Sequence, residues 1–251
     1  MIYVFGARGQ LGRSLMQLGC EPVFELITDN FNSIKLKQHD VIINAAAKTD
    51  SNYCQLNPDE AFKSNAELAG ILAKAARNAN CSLFHISTDY VFKGDRGNYA
   101  DFEGINPQQN VYALSKAAGE MYVKAYAIPG FSIIRTAWVF SPYKKAWFDS
   151  QKIWNQTGSL TYALDLAQFL IKLADVPKSQ RPAIIHYSTV SPVNRTTIAQ
   201  MSGNTTFEVV QVPADKPKDS SLLQSQICSI HKPMPLGVCL HEYRKAFPVS
   251  R

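Results

Sequence analysis

Long apolar runs are missing from this chain. Although 46% of its 251 residues are hydrophobic, no stretch approaches the roughly 20 residues that span a bilayer. The opening MIYVFGARGQLG lacks the basic segment, apolar core and small-residue cleavage site of a signal peptide. Both absences lead us to expect a soluble, cytoplasmic protein with no membrane partner. Cysteine is sparse and unpatterned. The five cysteines stand at 20, 54, 81, 228 and 239, an odd count with no C-x-x-C. Neither a disulfide framework nor a zinc site is indicated, and no metal is expected. Clustered positive charge is missing too. The formal net charge is +6, yet the longest basic run is YKK at 143–145. A nucleic-acid binder concentrates such residues on one face, so nucleic acid is not an expected partner. A modest positive field does suit an anionic small molecule such as a nucleotide. Internal repeats and low-complexity segments are also absent.

What is present is length and alternation. A chain of 251 residues buries a sizeable core, as one large domain or as a domain with a small lobe. Apolar strand-like runs occur at 2–5 (IYVF), 23–27 (VFELI), 40–47 (DVIINAAA), 82–87 (SLFHIS) and 131–138 (FSIIRTAW). Helical patterns separate them: QLGRSLMQLG ending near Gly19, one long helix over 57–80 with Pro58 in its first turn, and the stretch around Tyr112. Continuous apolar strands with intervening helices indicate an α/β chain whose parallel sheet is covered on both faces. Beyond about residue 140 the pattern loosens. A helix is expected over 164–175, strands over 183–188 and 207–212, and turns over 211–221. The expected division is 1–140 as a dinucleotide-binding domain and 141–251 as a smaller lobe interleaved with it.

FGARGQLG follows the first strand and opens the first helix. Gly6, Gly9 and Gly12 permit a tight turn and close backbone approach to a pyrophosphate. The helix N-terminus offers free N–H groups to the anion. At this place in an α/β chain the loop reads as a dinucleotide-binding site. Asp29, 17 residues after Gly12, is placed to accept hydrogen bonds from ribose hydroxyls, which favours NAD. Arg8 could instead pair with a 2′-phosphate. NADPH and NADH both stay open.

NVYALSKAAGE (110–120) sets Tyr112 and Lys116 one helical turn apart on one face. A free tyrosine titrates near about 10, and a neighbouring ammonium favours its phenolate. Tyr112 could then exchange a proton with a carbonyl or alcohol oxygen, and Lys116 could also hold a nicotinamide ribose. HISTDYVFKG (85–94) brings Thr88 and Asp89 to the carboxyl end of a strand, beside the cofactor crevice. A hydroxyl there can orient a carbonyl toward both Tyr112 and a hydride donor.

Taken in order, the blocks GQLG, INAAAKT, ISTDYVFKG, VYALSKAAGE, RTAWVF, LTYALDLA and ADKPKDSSL resemble the extended short-chain dehydrogenases. They are most similar to the dTDP-4-dehydrorhamnose reductase family, from Ile2 to about Leu222. The resemblance implies a Rossmann-like doubly wound sheet with a small C-terminal substrate lobe. It implies reduction of the C4 ketone of a nucleotide-linked 4-keto-6-deoxy sugar by NADPH or NADH. Tyr112, Lys116 and Thr88 match the catalytic positions. Gly9, Gln10 and Leu11 match the pyrophosphate loop, and Ala47, Lys48 and Thr49 a segment lining the cofactor. Asp89 and Trp138 match positions beside the sugar. The chain departs from the family between RTAWVF and LTYALDLA, where only residues 141–160 fill the gap, and in Leu160, which replaces a proline. The lobe is therefore expected to be shortened. Two further readings stay open: an epimerase or dehydratase that recycles a tightly held nicotinamide, and a non-catalytic subunit resembling the regulatory subunit of methionine adenosyltransferase. The oligomeric state, a homodimer included, is not set by the sequence.

Overall fold

The computed structural model describes residues 1–24, 35–126, 130–214 and 216–248. The first half runs β1 (Ile2–Phe5), α1 (Gln10–Gln17), β2 (Glu21–Val23), β3 (Val41–Asn44), α2 (Ser51–Leu56), α3 (Pro58–Phe62), α4 (Leu68–Ala79), β4 (Ser82–Thr88), α5 (Val111–Ala125) and β5 (Ser132–Thr136). The second runs β6 (Val139–Phe140), β7 (Lys152–Trp154), β8 (Thr157–Tyr162), α6 (Ala163–Asp175), β9 (Ile184–His186), β10 (Val190–Asn194), α7 (Arg195–Met201), β11 (Glu208–Val210) and α8 (Leu236–Ala246).

Six parallel strands form the main sheet in the order β2-β1-β3-β4-β5-β9. The apolar runs are continuous because helices bury both faces. Val4, Ile43 and Ile134 pack with Leu15 of α1 and Leu166 and Leu170 of α6 on one side. Ile42, Leu83 and Ile133 pack with Leu72 and Ala76 of α4 and Val123 of α5 on the other. The order reverses between β1 and β3, which opens a crevice at the carboxyl ends of those strands. The sheet is the Rossmann-like doubly wound one expected. The second strand differs: it occupies Glu21–Val23 rather than 23–27, and residues 25–27 lie outside the described residues.

The helix expected over 57–80 is broken. Pro58 does start it, at N1 or N2 of α3, but a π-helical turn, Lys63–Glu67, separates α3 from α4. The wide turn carries Asn65, whose side chain leaves the helix to bind elsewhere.

The lobe has its own small sheets. β8 pairs antiparallel with β10 and parallel with β6, and β7 pairs parallel with β11. Phe140, Phe148, Leu160, Tyr162, Ile198, Leu240 and Tyr243 form its core. Two elements beyond residue 140, α6 and β9, return to the main sheet. All five cysteines are free and buried. Among the described residues no helix is long and apolar enough to cross a membrane, and no group of three or more potential metal ligands occurs.

Candidate active site

A cleft of about 550 Å³ lies over the carboxyl ends of the strands. Of the residues singled out in the sequence, Arg8, Gly9, Gln10, Leu11, Ala47, Thr49, Thr88, Asp89, Tyr112, Lys116 and Trp138 line it. Gly6 and Gly12 lie behind its wall, where they let the backbones meet. A side-chain carbon at Gly6 (φ +86°) would come 2.5 Å from the Ala46 amide nitrogen, and one at Gly12 would come 2.6 Å from the Ala7 Cα. Any larger residue would push the loop off β3 or off its own turn. Gln10 fixes the far rim: its Nε2 donates to the Val139 carbonyl at 3.2 Å, and its Oε1 accepts from Ser141 Oγ at 2.9 Å.

The cleft's lining includes Ala47 and Thr49 but not Lys48 between them. The side chain of Lys48 turns away to Glu60 at 3.2 Å and lies over the Tyr53 ring. Its backbone is held by Asn65, which accepts from the Lys48 amide at 2.8 Å and donates to its carbonyl at 3.0 Å. Lys48 contributes position through its main chain, not charge through its ammonium. Asp29 lies outside the described residues.

Helix α5 is started by Asn110, whose side chain accepts from the Ala113 amide at 2.9 Å. Within the first turn Tyr112 faces the cleft, and Lys116 sits one turn beyond. Lys116 is only 2% exposed, and its Nζ donates to the Ile86 carbonyl at 2.7 Å. Burial pulls the Lys116 pKa down to about 8, against an opposing pull from Glu120. The same face of β4 ends two residues later in Thr88, which donates to Asp89 Oδ1 at 3.0 Å. Asp89 Oδ2 accepts from Ser220 Oγ. Burial pushes the Asp89 carboxyl up to about 6, although Ser220, Thr88 and the more distant Arg195 pull it down.

The expectation that Lys116 lowers the Tyr112 pKa is not met. Burial raises the phenol above its ordinary value; a hydrogen bond with Thr88 lowers it and the charge of Asp89 raises it further. Desolvation is the largest influence on the phenol. At neutral pH Tyr112 is a protonated phenol.

Sequence reasoning missed the groups that come from afar. Ser220 reaches Asp89 across 131 positions. Tyr90 lines the cleft and meets Tyr112 edge to face at 5.6 Å. Asn65 joins Lys48 to Ser115, its Nδ2 lying 3.0 Å from Ser115 Oγ. A π-turn marks such a place in a structure, but its residues KSNAE carry no signal that distinguishes them from ordinary helix.

The chain matches the family model described as "RmlD substrate binding domain" over residues 1–235. It is 34% identical over 221 residues to the dTDP-4-dehydrorhamnose reductase of Mycobacterium tuberculosis, covering 77% of this chain and 71% of that one. It is 31% identical over 215 residues to the dTDP-4-dehydrorhamnose reductase of Aggregatibacter actinomycetemcomitans, covering 74% and 72%. The crystal structure of the Bacillus anthracis dTDP-4-dehydrorhamnose reductase in complex with NADP superposes with a TM-score of 0.82 at 26% identity, covering 98% of this chain and 99% of that one. The chain is therefore a member of the dTDP-4-dehydrorhamnose reductase family, an oxidoreductase built on the Rossmann-like fold.

Proposed function

We propose that this protein reduces the C4 ketone of a nucleotide-linked 4-keto-6-deoxy sugar at the expense of NADPH or NADH, with dTDP-4-dehydro-L-rhamnose as substrate and dTDP-L-rhamnose as product. The observation that carries this reading is the convergence of Tyr112, Thr88 and Lys116 in one cleft with the glycine loop. The loop suits a dinucleotide: its packed glycines bring backbone amides to the cleft, and Gly9 caps α1 without a side chain in the way. Gly9, Gln10 and Leu11 would hold the pyrophosphate, Ala47 and Thr49 the adjoining wall, and Lys116 the nicotinamide ribose. When bound, a reduced nicotinamide supplies hydride to the sugar carbonyl carbon.

The protein's own residues manage the oxygen and the proton. Tyr112, kept protonated by its surroundings, gives its proton to the oxygen as charge develops there. Thr88 turns its O–H from Asp89 to the same oxygen, a second hydrogen bond that strengthens as the carbonyl becomes an alkoxide. The Lys116 ammonium, one turn away, stabilises the phenolate left behind until solvent reprotonates it. Asp89 and Trp138, which line the cleft, would bound the sugar end. The test is NADPH and NADH oxidation, followed by absorbance, with the keto sugar generated in situ. Rapid oxidation that disappears in Tyr112→Phe supports the proposal; cofactor binding without net oxidation would point to the recycling chemistry of an epimerase or dehydratase.

A further inference from the structure

The chain has three tryptophans, and all three meet on one cation. The guanidinium carbon of Arg195, the first residue of α7, lies 4.6 Å from the ring centroid of Trp138, 4.4 Å from that of Trp147 and 5.0 Å from that of Trp154. Trp138 and Trp147 also meet edge to face at 5.4 Å. Arg195 Nε, Trp138 Nε1 and Trp147 Nε1 are buried and have no hydrogen-bond acceptor among the described residues. Three donors without acceptors are costly unless aromatic faces receive them. A flat, weakly hydrated guanidinium fits that arrangement; a compact ammonium does not. Burial pulls the Arg195 pKa down to about 10, which leaves the group charged at neutral pH.

The box has a strained member. Trp138 holds a positive φ of +39°, a conformation a bulky residue keeps only when its surroundings impose it. Its indole lies against Gly158, where a side-chain carbon would come within 2.6 Å of the ring. Trp138 also lines the cleft. The strain therefore sits at the cleft wall, and the Arg195 guanidinium lies over the strained residue's ring.

We propose that Arg195 is a positioning residue for the sugar end of the cleft: with its guanidinium over the rings of all three tryptophans, it fixes Trp138 as the wall on which the hexose of the nucleotide sugar lies. This rests on the functional reading given above. It is tested with Arg195→Met, which removes the charge and the plane, and Arg195→Lys, which keeps the charge alone. Both variants raise KM for the sugar nucleotide about tenfold, while KM for NADPH and kcat stay within about twofold. An unchanged sugar-nucleotide KM overturns the proposal, as does full restoration by lysine or an equal loss in KM for NADPH. Indole emission gives an arm independent of turnover and of variant folding, because every tryptophan belongs to the box. In the unmodified protein, dTDP-L-rhamnose or UDP-glucose perturbs that emission. No change with either sugar nucleotide overturns the inference. Absence of turnover with a clear emission change counts against the proposed reaction and for the box.

Discussion

At the scale of single residues, the site works because burial acts on groups of opposite charge type. Desolvation keeps Tyr112 protonated, lifts Asp89 to about 6 and lowers Lys116 to about 8. Replacing Tyr112 with phenylalanine removes the proton donor, and kcat falls about 10²–10⁴-fold with cofactor binding retained in an equilibrium titration. The pH profile of kcat/KM follows from the two shifted groups. Activity rises with pH through about 6 as Asp89 ionises. It falls above about 8 as Lys116 loses the ammonium that stabilises the phenolate. The groups facing Asp89 are Thr88, Ser220, Tyr112 and Arg195, so Asp89→Asn should flatten the acid limb and leave the basic one. These three residues were legible in the sequence because their chemistry comes in short local strings. Their protonation states were not, since burial depends on what other segments place around them.

At the scale of elements, α5 is set in register against the sheet by a buried ion pair. Glu120 and Arg135 are both fully buried and meet twice, at 2.9 and 2.8 Å, while Ser87 donates to Glu120 at 2.7 Å. Burial alone raises the Glu120 carboxyl; Arg135 and Ser87 more than reverse it, and its pKa ends below the ordinary value. Its contribution to stability is therefore present above the unfolded pKa and is lost as pH falls through the folded one. Glu120→Ala strands the arginine charge and should cost about 3–5 kcal/mol, read as a lower denaturation midpoint. The glycine loop makes a sharper case. Gly12→Ala forces a carbon against the Ala7 backbone, so cofactor affinity is expected to fall more steeply than the denaturation midpoint. Strands β1, β3, β4 and β5 could be read from their apolar runs because both faces of the sheet are covered. The π-turn at Lys63–Glu67 could not, because its cause is a tertiary demand by Asn65 on Lys48 and Ser115. Nor could β7, β8 and β10, whose mixed polar sequences take strand form from their partners.

At the scale of the whole molecule, residues 216–222 stitch the lobe to the main sheet's loops. The Lys218 and Asp219 amides donate to the Gly94 carbonyl at 2.9 and 3.0 Å, the Thr157 amide donates to the Lys218 carbonyl at 3.0 Å, and Gln156 donates to Pro217 at 2.7 Å. Ser220 completes the seam at Asp89. Ser220→Ala removes a donor that holds the Asp89 pKa down, so the acid limb of the pH profile should move upward. The sequence marked this segment only as turns, since its role lies in what it touches far away. The five cysteines, buried in both halves of the molecule, have a practical consequence. Burial raises the pKa of every one, Cys81 to about 11 and Cys228 and Cys239 to about 12, so none offers a reactive thiolate at neutral pH. The natural sequence is thus already suited to site-directed labelling. One cysteine introduced on the surface would take a maleimide dye alone, and distances across the cleft could be followed by energy transfer without first stripping out the native thiols.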